Sequence, residues 1–149
     1  IDAAEGKTLF DAFFAGHCDQ MEPAPGAIDA LNRLSSHAEI LILSNAPAPA
    51  ERLRTNWLRK HGLMHPLILN TGPKGPIAAG LVGQTLHPTA FVDDLLGNLD
   101  SVAEHSPATV TFQHVADLRL RPFAPSSERH TRIDDWAELG AAIEAAVRR

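Results

Sequence analysis

The sequence predicts an α/β fold in which a doubly wound, Rossmann-like parallel sheet lies between two layers of helices. Short apolar runs alternate with segments whose apolar residues recur at helical spacing, and the links between them are short. This alternation is typical of parallel sheets, because two parallel strands need a crossover connection that is usually a helix. A chain of 149 residues is long enough to form one domain with its own core.

Four apolar runs are predicted to be strands. They cover residues 39–45, 66–70, 89–94 and 108–114. The first is apolar on both faces, as expected of a buried parallel strand. The last is rich in β-branched residues, which favour strands.

Helical spacing of apolar residues predicts the helices, at residues 3–20, 25–34, 48–61, 95–105 and 134–147. Gly62 suits the end of the third, and Asp134 or Asp135 suits the start of the last. Residues 71–88 and 116–133 are rich in Pro, Gly and Ser and are predicted to be loops. We expect residues 1–149 to form a single domain, with a flap or packed helix in residues 1–22 and the core in residues 23–149.

Composition and charge restrict the class of protein. The formal net charge is −5 and the basic residues are dispersed, so nucleic-acid binding is not predicted. No run approaches the ~20 apolar residues that span a bilayer, and no signal peptide is evident, so no membrane association is predicted. The single cysteine, Cys18, cannot form an internal disulfide and is compatible with a reducing compartment. We therefore expect a cytoplasmic protein.

Three groups of polar residues are candidates for a site. Ser44 with Asn45 and Asp93 with Asp94 each lie where a predicted strand ends, and Lys74 lies in the Gly/Pro-rich loop after Asn70. In open α/β sheets, ligands bind beyond the carboxyl ends of the strands. Each group also has a structural explanation: a cap for Ser44 and Asn45, a helix N-cap for the paired acids, and a solvated loop lysine that adds little to stability for Lys74.

The order of these groups along the chain favours a shared chemistry. A hydroxyl, then a lysine, then paired acids form a set that suits phosphoryl transfer, in which donors bind phosphate oxygens and acids hold Mg²⁺. Two adjacent carboxylates at a buried strand end also repel each other, and they need a cation or hydrogen-bond donors nearby.

Three segments carry a resemblance to the haloacid dehalogenase-like (HAD-like) hydrolases. Leu41–Asn45 resembles their second motif, Gly72–Gly75 resembles their lysine-bearing third motif, and Phe91–Asp94 followed by Asn98 is similar to their fourth. The resemblance implies that Ser44 and Asn45 bind the phosphate. It implies that Lys74 pairs with phosphate and nucleophile, so that Ser44 and Lys74 are catalytic. It also implies that Asp93 and Asp94 serve Mg²⁺.

One motif of the family is missing from the sequence. Family members begin with a strand that ends in Asp-x-Asp-x-Thr, whose first Asp is the nucleophile, and no such segment occurs here. Ile1–Ala3 fits the residues that follow this motif. We therefore expect a further central strand before Ile1, and a strand-wide gap between residues 39–44 and residues 89–93.

The resemblance implies a Mg²⁺-dependent phosphohydrolase that works through an aspartyl-phosphate. The segments before Ser44 and between Lys74 and Asp93 are too short for a large cap domain, so we expect an open site and a phosphorylated substrate that is large or macromolecular. A cap supplied by a second subunit, and hence a homo-oligomer, is left open. One alternative function is an inactive HAD-like module that binds a ligand or protein partner. A receiver-like domain is a weaker alternative, because the order of acids and lysine along the chain contradicts it.

Overall fold

The computed structural model describes residues 2–148 and confirms an α/β fold with parallel strands. The elements in chain order are α1 (Ala3–Gly16), α2 (Ala27–Leu34), β1 (Ile42–Ser44), a 3₁₀ turn (Ala48–Ala50), α3 (Glu51–Lys60), β2 (Leu67–Leu69), α4 (Gly75–Val82), β3 (Ala90–Asp93), α5 (Leu96–His105), β4 (Val110–Gln113), β5 (Thr131–Arg132) and α6 (Trp136–Val147). They fall into two compact units. The first unit comprises Ile1–Pro23 and Ile40–Gly72, and the second comprises Ala24–Glu39 and Pro73–Arg149.

The first unit contains α1, α3 and the sheet of β1 and β2. The N-terminus of α1 is closed by a capping box, in which the Asp2 carboxylate accepts from the N–H groups of Ala4 and Glu5 and the Glu5 carboxylate accepts from the N–H of Asp2. Phe13 and Phe14 of α1 pack against a small buried cluster, Cys18, Ala46 and Ala50.

Strands β1 and β2 pair in parallel, with Ile42 opposite Leu67 and Ser44 opposite Leu69. The residues of β1 are half-buried, so the prediction of a strand buried on both faces is wrong for this segment. Within the described residues, β1 pairs with β2 alone, and its second edge therefore has no strand covering it. The width of the gap between β1 and β3 stays a prediction.

The second unit is built on the parallel sheet β3-β4-β5. Asp93 lies opposite Gln113 at the carboxyl end of β3 and β4. Helix α5 packs on both of these strands and on α4, and α2 packs on α6. The core of this unit includes Leu99, Val102, Phe112 and Leu139, and Asp135 caps α6 through the N–H groups of Ala137 and Glu138.

Two segments predicted to be loops contain regular structure. Residues 75–82 form α4, although the segment contains proline and glycine. Pro76 lies in the first turn of α4, where its missing N–H is harmless, and packing against α5 supports the rest of the helix. Residues 131–132 form the short strand β5, which pairs with β4. In both segments, tertiary contacts outweigh the local preference for a loop.

The segments between successive strands are short. Each contains at most one α-helix, so no large cap domain is inserted between the strands within residues 2–148. None of the helices in this part of the chain has the length and apolar character that a membrane crossing requires.

Candidate functional site

Asp93, at the end of β3, is the best connected of the predicted site residues. Its Oδ2 lies 2.6 Å from Nζ of Lys74, and the two side chains are only 3% and 12% exposed. Its Oδ1 accepts the N–H of Leu95 at 2.9 Å and the Nδ2 of Asn98 at 3.0 Å. The carboxylate is therefore fixed from both sides, as a buried charge must be.

Lys74 reaches Asp93 because α4 begins very close to α5. Lys74 is the residue that precedes α4, and the N–H of Gly75 donates to Oγ of Ser101 at 3.1 Å. A Cβ at position 75 would lie 2.2 Å from the carbonyl oxygen of Ser101, so only glycine permits this approach. The interpretation of Lys74 as a solvated loop lysine is wrong, because its ammonium group lies in a buried ion pair and 6.0 Å from the ring centre of Phe91.

Asp94 follows directly and points a second carboxylate into the same region. Partial withdrawal from water, and then the negative charge of Asp93, raise the pKa of Asp94. The residue itself is exposed at the surface, so its carboxylate remains accessible to a ligand. A cation bound beside the two acids would relieve their repulsion.

Gln113 was not predicted from the sequence, yet it is one of the most completely buried side chains. Its Nε2 donates to the carbonyl of Asp94 at 3.2 Å and to that of Pro125 at 2.8 Å, while its Oε1 has no partner among the described residues. The only sequence signal was a glutamine near the end of a predicted strand. This side chain fixes the backbone after β3 against the loop after β4.

Ser44 and Asn45 lie at the end of β1, in the first unit. Oγ of Ser44 accepts the N–H of Ala46 at 3.2 Å, and its hydroxyl proton can be donated to another group. Nδ2 of Asn45 donates to the carbonyl of Gly72 at 2.9 Å, and its Oδ1 accepts from Asn70 at 3.0 Å. Ser44 ends the strand and Asn45 follows it, as predicted, and their role with phosphate stays a prediction.

A second buried polar cluster joins α5, β4 and the segment before β5. Oγ1 of Thr111 lies 2.7 Å from Nδ1 of His130, whose Nε2 lies 3.0 Å from Oδ1 of Asp100. Since a carboxylate only accepts, Nε2 of His130 carries a proton and donates it to Asp100. The hydrogen bond from His130 and the charges of His130 and Arg129 lower the pKa of Asp100. No sequence pattern predicted this cluster.

The donor set around Asp93 fits Mg²⁺. No group of three or more His, Cys, Asp or Glu side chains in residues 2–148 is arranged to hold a metal. Mg²⁺, however, is usually held by one or two carboxylates together with water and substrate phosphates. Asp93 and Asp94 offer two carboxylates, and carboxylate oxygens are ligands that suit a hard cation such as Mg²⁺.

Comparison with known proteins finds a similar fold among solved structures. No protein-family model and no curated protein matches the chain. Among solved structures, the chain is similar to a protein from Burkholderia xenovorans LB400 that is assigned as a haloacid dehalogenase-like hydrolase, with a TM-score of 0.63 and 15% sequence identity. The match covers 93% of this chain and 66% of the other, just under two thirds of its length. At this level of identity, the similarity establishes the fold.

Proposed function

We propose, from the premise that this chain has the haloacid dehalogenase-like hydrolase fold, that it acts as a Mg²⁺-dependent phosphohydrolase on phosphate monoesters. The observation that carries the proposal is the buried pair of Lys74 and Asp93 at the carboxyl end of β3, with Asp94 directly beside it. Ligands bind at this end of the strands in open α/β sheets. A buried lysine beside two carboxylates combines one group that binds phosphate with two that bind a cation.

Lys74 contributes fixed positive charge in this proposal. Its Nζ has three protons, and Asp93 accepts one of them, so the others can be donated to phosphate oxygens. Because the lysine is already held by Asp93, little reorganisation is needed when charge develops on the phosphoryl group. Asp93 and Asp94 would hold Mg²⁺, which when bound supplies positive charge to phosphate and nucleophile.

Two hydrogen bonds keep Asp93 in place for this role. The N–H of Leu95 and the side chain of Asn98 both donate to Oδ1, which leaves Oδ2 for Lys74. A carboxylate oxygen has two lone-pair directions, so Oδ1 of Asp93 is filled by these two donors, whereas Oδ2 can accept one further ligand beside Lys74. Asn98 thus acts as a positioning residue for the acid.

We further propose that the nucleophile is an aspartate, as the resemblance implies. Its carboxylate oxygen would attack phosphorus, the bond from phosphorus to the ester oxygen would break, and the alcohol would leave with a proton. Water would then attack the aspartyl-phosphate and release inorganic phosphate. The resemblance in Leu41–Asn45 adds Ser44 and Asn45 as phosphate ligands, and this assignment is part of the proposal.

The test is hydrolysis of p-nitrophenyl phosphate by the purified protein. We expect activity with Mg²⁺ and none with EDTA. Asp93→Asn should lower kcat/KM by on the order of 10² or more, the scale of losing one preorganised charged group. Asp29→Asn, an exposed acid in the first turn of α2, is the matched control and should leave the rate unchanged. Full activity in EDTA, or an Asp93→Asn rate within twofold of the parent, would refute the proposal.

The alternative is an inactive HAD-like module that binds a phosphorylated ligand or a protein partner. It is favoured by one observation, namely that the sequence contains no Asp-x-Asp-x-Thr segment. Binding of inorganic phosphate, measured beside hydrolysis, separates the two functions. A protein that binds inorganic phosphate in the presence of Mg²⁺, and loses this binding in Asp93→Asn, but hydrolyses nothing, would be the inactive module.

A further inference from the structure

The peptide group between Lys74 and Gly75 is hydrogen-bonded on both sides. Its carbonyl, which belongs to Lys74, accepts the N–H of Ala78 at 3.0 Å, a bond within α4. Its N–H, which belongs to Gly75, donates to Oγ of Ser101 at 3.1 Å in a buried contact. Ser101 lies in α5 and is only 9% exposed. This second bond therefore ties the backbone that carries Lys74 to another helix.

Helix α4 lacks the usual means of fixing its own first turn. Lys74, the residue before that turn, does not cap it with its side chain. Pro76 has no N–H to donate, and Gly75 and Gly80 both lower the helix propensity of a segment that is only eight residues long. The first N–H groups of a helix need acceptors from outside its own ladder. The hydroxyl of Ser101 supplies such an acceptor and so helps to fix where α4 begins.

Helix α5 holds both members of the buried ion pair. Nδ2 of Asn98 donates to Oδ1 of Asp93 at 3.0 Å, and Ser101 holds Gly75, the residue next to Lys74. Asn98 and Ser101 are three positions apart, so they lie on the same face of α5. The contact of 2.6 Å between Lys74 and Asp93 closes the ring. One helix therefore sets where the ammonium group and the carboxylate meet.

We propose that Ser101 is a positioning residue for Lys74, which it holds through the N–H of Gly75 so that the ammonium group meets a phosphate oxygen beside Asp93. This inference rests on the proposed function and adds a residue to its site. With alanine at position 101, the buried N–H of Gly75 loses its acceptor, and the first turn of α4 can move to find another. A displacement of about 1 Å in a catalytic group can lower a rate by up to about 10².

Removal of the Ser101 hydroxyl should affect the two members of the ion pair unequally. The carboxylate of Asp93 keeps the N–H of Leu95 at 2.9 Å and the side chain of Asn98 at 3.0 Å. Lys74 instead loses the bond that ties its backbone to α5. We therefore expect phosphate binding and turnover, which depend on the lysine, to weaken, while Mg²⁺ binding, which depends on the acid, is kept. General damage to the site would weaken both.

The test compares Ser101→Ala with Ser106→Ala. Ser106 is also 9% exposed, and its Oγ lies 2.8 Å from Oγ1 of Thr109 just beyond the end of α5, so the control removes a buried hydroxyl too. Ser101→Ala should lower kcat/KM for p-nitrophenyl phosphate by about tenfold and weaken the binding of inorganic phosphate, with Mg²⁺ affinity within about twofold of the parent's. Ser106→Ala should match the parent in all three. Ser101→Cys, whose sulfur is a weaker acceptor, should fall in between and serves if Ser101→Ala does not fold.

A double-mutant cycle with Lys74→Met shows whether Ser101 acts through the lysine. Once the ammonium group is gone, adding Ser101→Ala should change kcat/KM by less than about twofold, because the effects of residues that act through one another are not additive. A further loss of about tenfold in this background would make Ser101 a general structural residue and overturn the inference. So would a Ser101→Ala rate within about twofold of the parent's, or Mg²⁺ binding that weakens as much as the rate falls.

The same measurements separate this inference from the proposed function. If the parent neither binds inorganic phosphate nor hydrolyses the ester, the proposed function fails and the inference fails with it. If the parent is active with Mg²⁺ and Asp93→Asn is not, but Ser101→Ala behaves like Ser106→Ala, the proposed function stands and only the inference is overturned. If the parent binds phosphate without hydrolysing the ester, the dissociation constant of phosphate replaces the rate in the same comparison.

Discussion

Replacing Lys74 by Met removes the positive charge of the buried ion pair and keeps a side chain of similar length. Lys74 and Asp93 are 2.6 Å apart and almost entirely shielded from solvent. Their gross attraction is about 6 kcal/mol if the effective dielectric constant is about 20. Much of that attraction is offset by the cost of desolvating both charges when the protein folds, so it is not the expected loss of stability.

The expected loss comes from the carboxylate that remains buried without its partner. Removing one member of a buried pair typically costs about 3–5 kcal/mol. Asp93 keeps the hydrogen bonds from Leu95 and Asn98, so we expect Lys74→Met to fall at the lower end, at about 3 kcal/mol. The double variant Lys74→Met/Asp93→Asn leaves no unpaired charge and should recover more than half of this loss.

Urea unfolding followed by far-UV circular dichroism measures both effects. With an m value of about 2 kcal/mol/M, Lys74→Met should lower the urea midpoint by about 1.5 M. The midpoint of the double variant should recover more than half of that shift. If the free energy of unfolding of Lys74→Met lies within about 0.5 kcal/mol of the parent's, the usual range for surface substitutions, the burial argument is refuted. So would a double variant less stable than the single one.

Two further predictions concern packing and pH. Gly75→Ala should destabilise the protein by about 1–3 kcal/mol, because the added Cβ would lie 2.2 Å from the carbonyl oxygen of Ser101. Gly80 lies in the same helix, and a Cβ added there would meet open space. Gly80→Ala should therefore stabilise the protein by up to about 1 kcal/mol in urea unfolding. Burial pushes the pKa of Asp134 up, but hydrogen bonds from Arg132 and from the backbone of Val115 outweigh it and lower the pKa below the usual 3.8. The stability that Asp134 contributes is therefore present above pH 3.8 and is lost as the pH falls through its lower folded-state pKa. Asp134→Asn should make the free energy of unfolding less dependent on pH in that acid range, and an unchanged dependence would contradict the assignment.

The four strands predicted from the sequence were confirmed in position because each is a short apolar run with turn residues around it. The sequence could not predict β5, since two residues in a polar segment have no periodicity to detect. Helix α4 was missed for another reason. Its Gly and Pro residues favour loops when considered locally, and only the close approach of Gly75 to Ser101 shows why glycine is needed there.

The candidate site was predictable in its residues but not in the contacts between them. Asp93 and Lys74 were selected because residues of these types follow strands in a recognisable order. Their direct contact, and the burial of Lys74, depend on the packing of α4 against α5, which the sequence does not reveal. Gln113 could not have been found, because its importance lies in two carbonyls, those of Asp94 and Pro125, that are distant from it in sequence.

Isothermal titration with Mg²⁺ decides whether the acids after β3 form a metal site. The parent protein should bind one Mg²⁺, and Asp93→Asn should weaken this binding by about tenfold or more, the scale of losing a charged ligand. Asp94→Asn should have a similar or milder effect, and Asp29→Asn should have none. If the parent binds no Mg²⁺, or if Asp93→Asn binds it as tightly as the parent does, then Asp93 is a purely structural partner of Lys74 and the proposed function is wrong.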